Sequence, residues 1–347
     1  MKFRDNCRYD IAAVTSMGLR LCPLDRQPLN TSGLWKMQAT SAETNVMNVP
    51  ASLGFKAKAL TKFVKDLDTA AYIKAELRKR NIEFESTDID AGGPWGFRHQ
   101  INIADSGFGS RGPKVQNDRA GEVGREICPE DFDLEKLFRE DGCRIFHVSG
   151  LIFALSESTT KTCLEAARLA KSCGTKISFD VNYRESFWKG REKELSESFE
   201  EMARMVDFLV GADYLIAEGK GRASTMEGEL EYVNKLRKAY PDAEIILSTL
   251  RSVESANLHK VGAVLYEKDQ LYKLEPREVS IYDRIGGGDG FLSGFLYGCL
   301  KGYKAEDCLK LGWAASAMAV SIADDFASPV SEQQLWDIYG GDAAVKR

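Results

Sequence analysis

The chain has 347 residues, 44% of them hydrophobic and 29% charged, with a formal net charge of −5. That supplies apolar material for a large core but is too acidic for a protein whose main partner is nucleic acid, because phosphate binding needs a basic face. No apolar run approaches the roughly 18 residues of a membrane span, so neither nucleic acid nor membrane is expected as a partner.

Met1–Asp5 lacks the apolar stretch of a signal peptide. The eight cysteines are scattered, with no Cys-x-x-Cys pair and no metal-ligand spacing. They read as reduced thiols, and a cytoplasmic location is expected.

In chain order, Ile11–Val14 is a short apolar run suited to a buried first strand. Residues 15–40 mix Gly, Pro, Asn, Thr and Ser and read as irregular. Ala42–Leu53 reads as a helix with Ser41 as its N-cap. Lys56–Val64 is a strand candidate, and Asp68–Arg80 an amphipathic helix whose basic end suits the dipole. From about 83 to 118, repeated Gly and Pro break the chain into short segments that resemble hairpins.

A regular alternation follows. Strands are expected at Arg144–Val148, Lys176–Val181, Phe208–Val210 and Glu244–Thr249, and helices at Glu157–Cys173, Lys193–Met205 and Glu227–Ala239. Glu218–Glu229 is the loosest stretch. Val261–Tyr266 and Gln270–Leu274 suit a hairpin, and Gly288–Gly302 and Lys304–Asp324 suit helices. Strands alternating with helices imply a parallel sheet with right-handed crossovers, whose ligands gather at the carboxyl ends of the strands.

The chemistry concentrates in Asp283-Arg284-Ile285-Gly286-Gly287-Gly288-Asp289-Gly290-Phe291. Three glycines between an extended segment and a helix allow close backbone approach to a ligand. Free N–H groups at the positive end of the helix suit an anion such as a transferring phosphoryl group. Asp289, in the first turn, is placed to take a proton from an attacking hydroxyl. His99, His147 and His259 have no ligand spacing and are expected to be structural or surface residues, and Trp188, Trp313 and Trp336 to be packing residues.

This segment resembles the C-terminal signature of PfkB (ribokinase-like) carbohydrate kinases, where Gly-Ala/Gly-Gly-Asp forms the anion hole and its Asp is the catalytic base. Other segments resemble the 2-keto-3-deoxygluconate kinases within that family. They are Phe179-Asp180-Val181-Asn182-Tyr183-Arg184 with Trp188, Ser248-Thr249-Leu250-Arg251-Ser252, Asn117-Asp118-Arg119-Ala120, and Leu19-Arg20-Leu21. The likeness spans roughly residues 11 to 330.

The resemblance implies a ribokinase-like three-layer α/β/α fold with a doubly wound, mainly parallel sheet. It implies a single domain over 1–347 with a small β-rich lid from segments at about 15–40 and 83–118. It implies ATP and Mg2+, a small sugar or keto-sugar acid phosphorylated at a terminal hydroxyl, and a homodimer formed through the lid. Asp289 would be the base and Gly286, Gly287 and Gly288 the anion hole. Ser41, Asn45, Arg119 and Arg184 would contact the sugar with Asp289, and Asn182, Arg184, Thr249, Arg251, Gly286 and Gly288 the nucleotide. No metal ligand is assigned.

Four positions depart from the family pattern. Thr15-Ser16 replaces Gly-Glu or Gly-Asp after the first strand. Thr40-Ser41 replaces Gly-Gly before Ala42-Glu43-Thr44-Asn45-Val46. Asn117 replaces Tyr, and Ala212-Asp213-Tyr214-Leu215 replaces Asn-Glu-Glu-Asp. Two alternatives therefore stay open: a degenerate member that binds ligand or regulates with little phosphotransfer, and a kinase for fructose or a nucleoside. Asp324-Asp325 follows the last core helix, and its family counterpart lies near the active site; an exposed acidic turn is the competing reading.

Overall fold

The computed structural model describes residues 1–215 and 225–342. Residues 218–224 of the loose Glu218–Glu229 stretch lie outside the described residues. The strands in chain order are β1 (Tyr9–Val14), β2 (Gly18–Pro23), β3 (Trp35–Thr40), β4 (Ala57–Thr61), β5 (Ile82–Ser86), β6 (Gln100–Asp105), β7 (Lys114–Asp118), β8 (Cys143–Ser149), β9 (Lys176–Asp180), β10 (Phe208–Val210), β11 (Ile245–Ser255), β12 (Leu258–Glu267) and β13 (Gln270–Ser280). The helices are α1 (Ala42–Ser52), α2 (Asp68–Lys79), α3 (Gly150–Phe153), α4 (Glu157–Ser172), α5 (Glu185–Trp188), α6 (Glu192–Met205), α7 (Met226–Ala239), α8 (Gly287–Leu300), α9 (Ala305–Val320) and α10 (Glu332–Gly340).

Nine strands form one sheet in the order β13-β12-β11-β10-β9-β8-β1-β4-β5. Pairing is parallel from β5 to β11 and antiparallel across β11-β12-β13. Side chains alternate between two cores, as the two-residue period of a strand requires. In β1, Ala12 and Val14 join one core, while Ile11 and Ala13 join the other. The first core is closed by α4, α6 and α7 through Leu164, Phe199 and Val233. The second is closed by α1, α2, α8 and α9 through Val46, Ile73, Phe291 and Leu309. The result is the three-layer ribokinase-like architecture.

A second, four-stranded sheet has the order β3-β2-β6-β7. Two of its strands, β2 and β3, fall in the segment 15–40 that reads as irregular, and pair antiparallel from Gly18↔Thr40 to Pro23↔Trp35. Local composition hides them because β2 also needs β6, about eighty residues away, with which it pairs in parallel. A further correction concerns 83–118: Glu83–Ser86 belongs to β5 at the edge of the main sheet, paired with β4. The segment's contribution to the small sheet begins at Gln100.

Candidate active site

Gly286, just before α8, has a left-handed backbone (φ 80°) and offers no side-chain cap. The first-turn amides of α8 therefore lack the usual hydroxyl or carboxylate partner. The three glycines serve different ends. A Cβ at Gly286 would overlap the Asp325 carbonyl, and one at Gly287 would press on Val320 at 2.8 Å. A Cβ at Gly288 would meet nothing within 4 Å, so that residue faces open space. Gly286 and Gly287 are dictated by packing, whereas Gly288 leaves room for an incoming group.

Asp289 stands beside that space. Asn45 Nδ2, from the first turns of α1, donates to Asp289 Oδ2 at 3.0 Å across 244 residues of sequence. Burial pushes the Asp289 carboxyl up to about 7, the Asn45 bond opposes this, and the charges of Asp180, Glu43 and Asp325 add to it. A carboxyl poised near neutrality holds a useful population of base. Glu43 lies fully inside, accepting from Thr15 Oγ1 at 2.7 Å. Burial pushes it up to about 7 as well, with hydrogen bonds and the Arg119 charge pulling the other way.

Thr15, Ser16, Thr40 and Ser41, which depart from the family pattern, are absorbed into internal bonding. Ser41 caps α1, accepting from Thr44 N at 3.1 Å, and its hydroxyl also bonds Thr15 at 2.8 Å. Thr40 Oγ1 donates to Asp325 Oδ2. Ser16 Oγ donates to Glu122 Oε1 at 2.6 Å. Glu122 also takes both contacts of Arg119 Nη1, at 2.8 and 2.9 Å, and the Arg119 guanidinium lies 4.9 Å from the Phe187 ring centre. Ser41 and Arg119, expected as sugar contacts, thus have these polar groups already engaged. Arg119 keeps a buried, unpartnered Nε.

Asp180 ends β9 and accepts the Asn182 backbone N–H at 3.1 Å, which holds Asn182 in a left-handed turn (φ 38°). Arg184 follows, exposed, donating to the Tyr183 carbonyl at 2.9 Å. Below it, Tyr183 stacks on Tyr214 at 3.7 Å, and Trp188 packs against both rings and Phe199. Tyr214 of the altered Ala212–Leu215 segment therefore supports the turn that carries Arg184. Asp213 is buried and accepts from Ser248 Oγ at 3.1 Å, and Ser248 also donates to Glu229. Thr249 is half-buried and Arg251 exposed, both on β11.

Asn45, Asp289 and the glycine run come together. Thr249 and Arg251 lie two strands beyond Asp180 in the sheet. The three histidines are buried, and desolvation takes His147 down to about 3. The competing readings of Asp324-Asp325 divide: Asp324 pairs with Lys36 at 2.8 Å, and Asp325 is interior. Sequence reasoning passed over Arg20 as a site residue. The Leu19-Arg20-Leu21 alternation could have signalled it, because a charge on a strand between apolar neighbours is often placed against another layer.

Residues 135–325 match the family described as pfkB family carbohydrate kinase. The chain is 27% identical over 333 residues to a 2-dehydro-3-deoxygalactonokinase of Haloferax volcanii, covering 95% of this chain and 96% of that one. It is 25% identical over 333 residues to a 5-dehydro-2-deoxygluconokinase of Clostridium perfringens, covering 92% and 90%. The crystal structure of a 2-dehydro-3-deoxygluconokinase from Thermotoga maritima superposes with a TM-score of 0.86 at 25% identity, over 96% of this chain and 98% of that one.

Proposed function

Since the chain belongs to the pfkB family of carbohydrate kinases, we propose that it transfers the γ-phosphoryl group of ATP to a terminal hydroxyl of a small dehydro-deoxy sugar or sugar acid. The names of its relatives, acting on dehydro-deoxy galactonate- and gluconate-type sugars, support that substrate class. One observation carries the reading: a carboxyl near neutrality, Asp289, sits in the first turn of an uncapped helix beside the open face of Gly288.

In this reading Asp289 accepts the proton of the acceptor hydroxyl as the oxygen attacks. Asn45 holds the carboxylate in position and favours its charged form. The amides of Gly287, Gly288 and Asp289 stabilise negative charge on the moving phosphoryl oxygens, fixed in advance by the fold. Arg184, exposed at the end of the β9 turn, attracts the substrate's anionic group, a task for which a planar, permanently charged guanidinium is suited.

Among the described residues no three His, Cys, Asp or Glu side chains group to hold a metal. A magnesium ion would be held mostly through phosphate oxygens and water, with Asp180, at the end of β9, as the carboxylate that would complete its shell. Bound there, the ion would neutralise phosphate charge.

The exposed Trp35 and Met37 of β3 and Val115 of β7 support a homodimer formed through the small sheet, which acts as a lid. Light scattering on the full chain checks this: a mass of one chain at micromolar concentration removes the dimer.

The test of the chemistry is Asp289→Asn. The turnover rate should fall by orders of magnitude with the fold and nucleotide affinity retained. A near-normal rate would mean that another group is the base.

A further inference from the structure

Three residues from two lid strands converge on one carboxylate behind the glycine run. Arg20 of β2 donates through Nη1 to Asp325 and through Nη2 to Asp283. Gln38 Nε2 of β3 donates to Asp325 Oδ1 at 2.6 Å, and Thr40 donates to Asp325 Oδ2. Arg20 is 1% exposed, Asp283 1% and Asp325 2%, so the cluster is dry. Burial alone would lower Arg20, but the two carboxylates outweigh it and hold the guanidinium firmly charged.

Both carboxylates flank the anion hole. Asp283 Oδ1 accepts the Ile285 backbone N–H at 3.1 Å, just before Gly286. The backbone carbonyl of Asp325 packs so closely on Gly286 that no Cβ fits between them. Asp325 thus has its side chain held by the lid and its backbone set against the residue that orients the first amides of α8. Neighbouring bonds follow the same line: Lys36 Nζ donates to the Ala323 carbonyl, and Arg26 Nη2 to the Ile281 carbonyl, each at 2.7 Å.

We propose that Arg20, Asp325 and Asp283 form a positioning network through which the seating of the lid sets the orientation of the Gly286–Asp289 anion hole. Arg20 is its centre and a positioning residue, since its two bonds end on carboxylates and not on the Gly286–Asp289 backbone. A guanidinium suits the task because its fork reaches two acids in different directions, which an ammonium cannot do with fixed geometry. Arg20 Nε has no partner, and Gln38 Oε1 has none either. The network joins the small sheet to the start of the α8 helix, so a misplaced sheet loosens the amides at Gly286–Asp289.

The test reads both ends. The reporter amides are Tyr282, Asp283, Ile285 and Gly290, bonded to Val320 O, Val320 O, Asp283 Oδ1 and Gly286 O respectively. Thr40→Val removes one donor to Asp325 with little change of volume, and Arg20→Met and Arg20→Lys test the hub. Hydrogen exchange on the intact protein should accelerate at the reporter amides by about tenfold in Thr40→Val and Arg20→Met, within the range of long-range coupling in proteins. Arg20→Lys should recover part of that protection.

The kinetic arm rests on the kinase reading: kcat should drop about tenfold while KM for sugar moves less than threefold. Faster exchange confined to 18–23 and 35–40, with the reporters unchanged, would overturn the proposal. So would a rise in KM with kcat intact. If the wild type turns over no sugar, the proposed function fails and the exchange arm still decides the network. If Arg20→Met does not fold, Thr40→Val carries the test.

Discussion

Replacing Asn45 with Leu should move the acid limb of the pH profile upward. Asn45 is buried, and its Nδ2 gives Asp289 a hydrogen bond that stabilises the ionised carboxylate. Leu matches its size and leaves Arg80 bonded to the Thr44 carbonyl at 2.7 Å. A hydrogen bond to a charged group contributes roughly 1.5–3 kcal/mol, and about 1.4 kcal/mol is one pKa unit. Asp289 is partly open to solvent, so water replaces some of the loss and about one unit is expected. Starting from about 7, the midpoint of kcat/KM should rise to about 8. At pH 7 the ionised fraction then falls from about a half to about a tenth, a roughly fivefold loss that disappears by about pH 9.

The control has the opposite sign. Glu43 is one of the charges that raise Asp289, so Glu43→Gln should lower the midpoint. The assay is kcat/KM from pH 5.5 to 9.5 in a constant-ionic-strength buffer. A midpoint that stays put or falls in Asn45→Leu refutes the assignment of Asn45. An equal loss at every pH shows that Asn45 acts on substrate affinity and not on the base.

The glycines should separate by cause. Gly288→Ala should fold with an unchanged melting temperature and lose turnover, because its methyl enters the open space, whereas Gly286→Ala should lose stability as well, from its positive φ and the Asp325 carbonyl; thermal melts and rates on both variants check this. Asp289 is raised above its unfolded value, so the stability its protonated form confers is complete below pH 3.8 and is lost as pH climbs through about 7. Asp289→Asn should therefore melt higher than the wild type at pH 8, by an amount that shrinks towards acid pH, and equal melting at both pH values would deny the raised pKa. Phe199 is fully buried among Phe153, Phe179 and Trp188, and Phe199→Ala should cost about 3–5 kcal/mol in denaturant unfolding.

Much of this arrangement is legible in the sequence, for reasons that differ by element. The α/β alternation after Arg144 is local, since each strand and helix carries its own period, and the structure follows it to within a few residues. Strands β11 and β13 run on to Ser255 and Ser280, well past Thr249 and Leu274. Their extensions pair only with β12, and the burial of β11 turns mixed there, which weakens the apolar signal. The small-sheet strands β2 and β3 are hidden because β2 completes its pairing only with the distant β6 and the segment around both is turn-like.

At the site, Asn45 and Asp289 were each visible through a motif, but their bond joins positions 244 residues apart and no spacing rule foretells it. The capping role of Ser41 was readable, and it is the role that engages the hydroxyl. The Arg20–Asp325 pair spans 305 residues. Nothing in Asp324-Asp325 says which acid turns inward; the choice is made by Arg20, Gln38 and Thr40 above one of them and Lys36 beside the other.

The most direct test is ATP turnover by the wild-type chain, with magnesium, against dehydro-deoxy galactonate and gluconate sugars, neutral sugars including fructose, and nucleosides. ADP release should depend on a dehydro-deoxy sugar or sugar acid, yield one phosphorylated product per ADP, and vanish in Asp289→Asn. Binding of ATP without phosphorylated product from any member of the panel would contradict the kinase reading and leave a ligand-binding protein on a kinase fold.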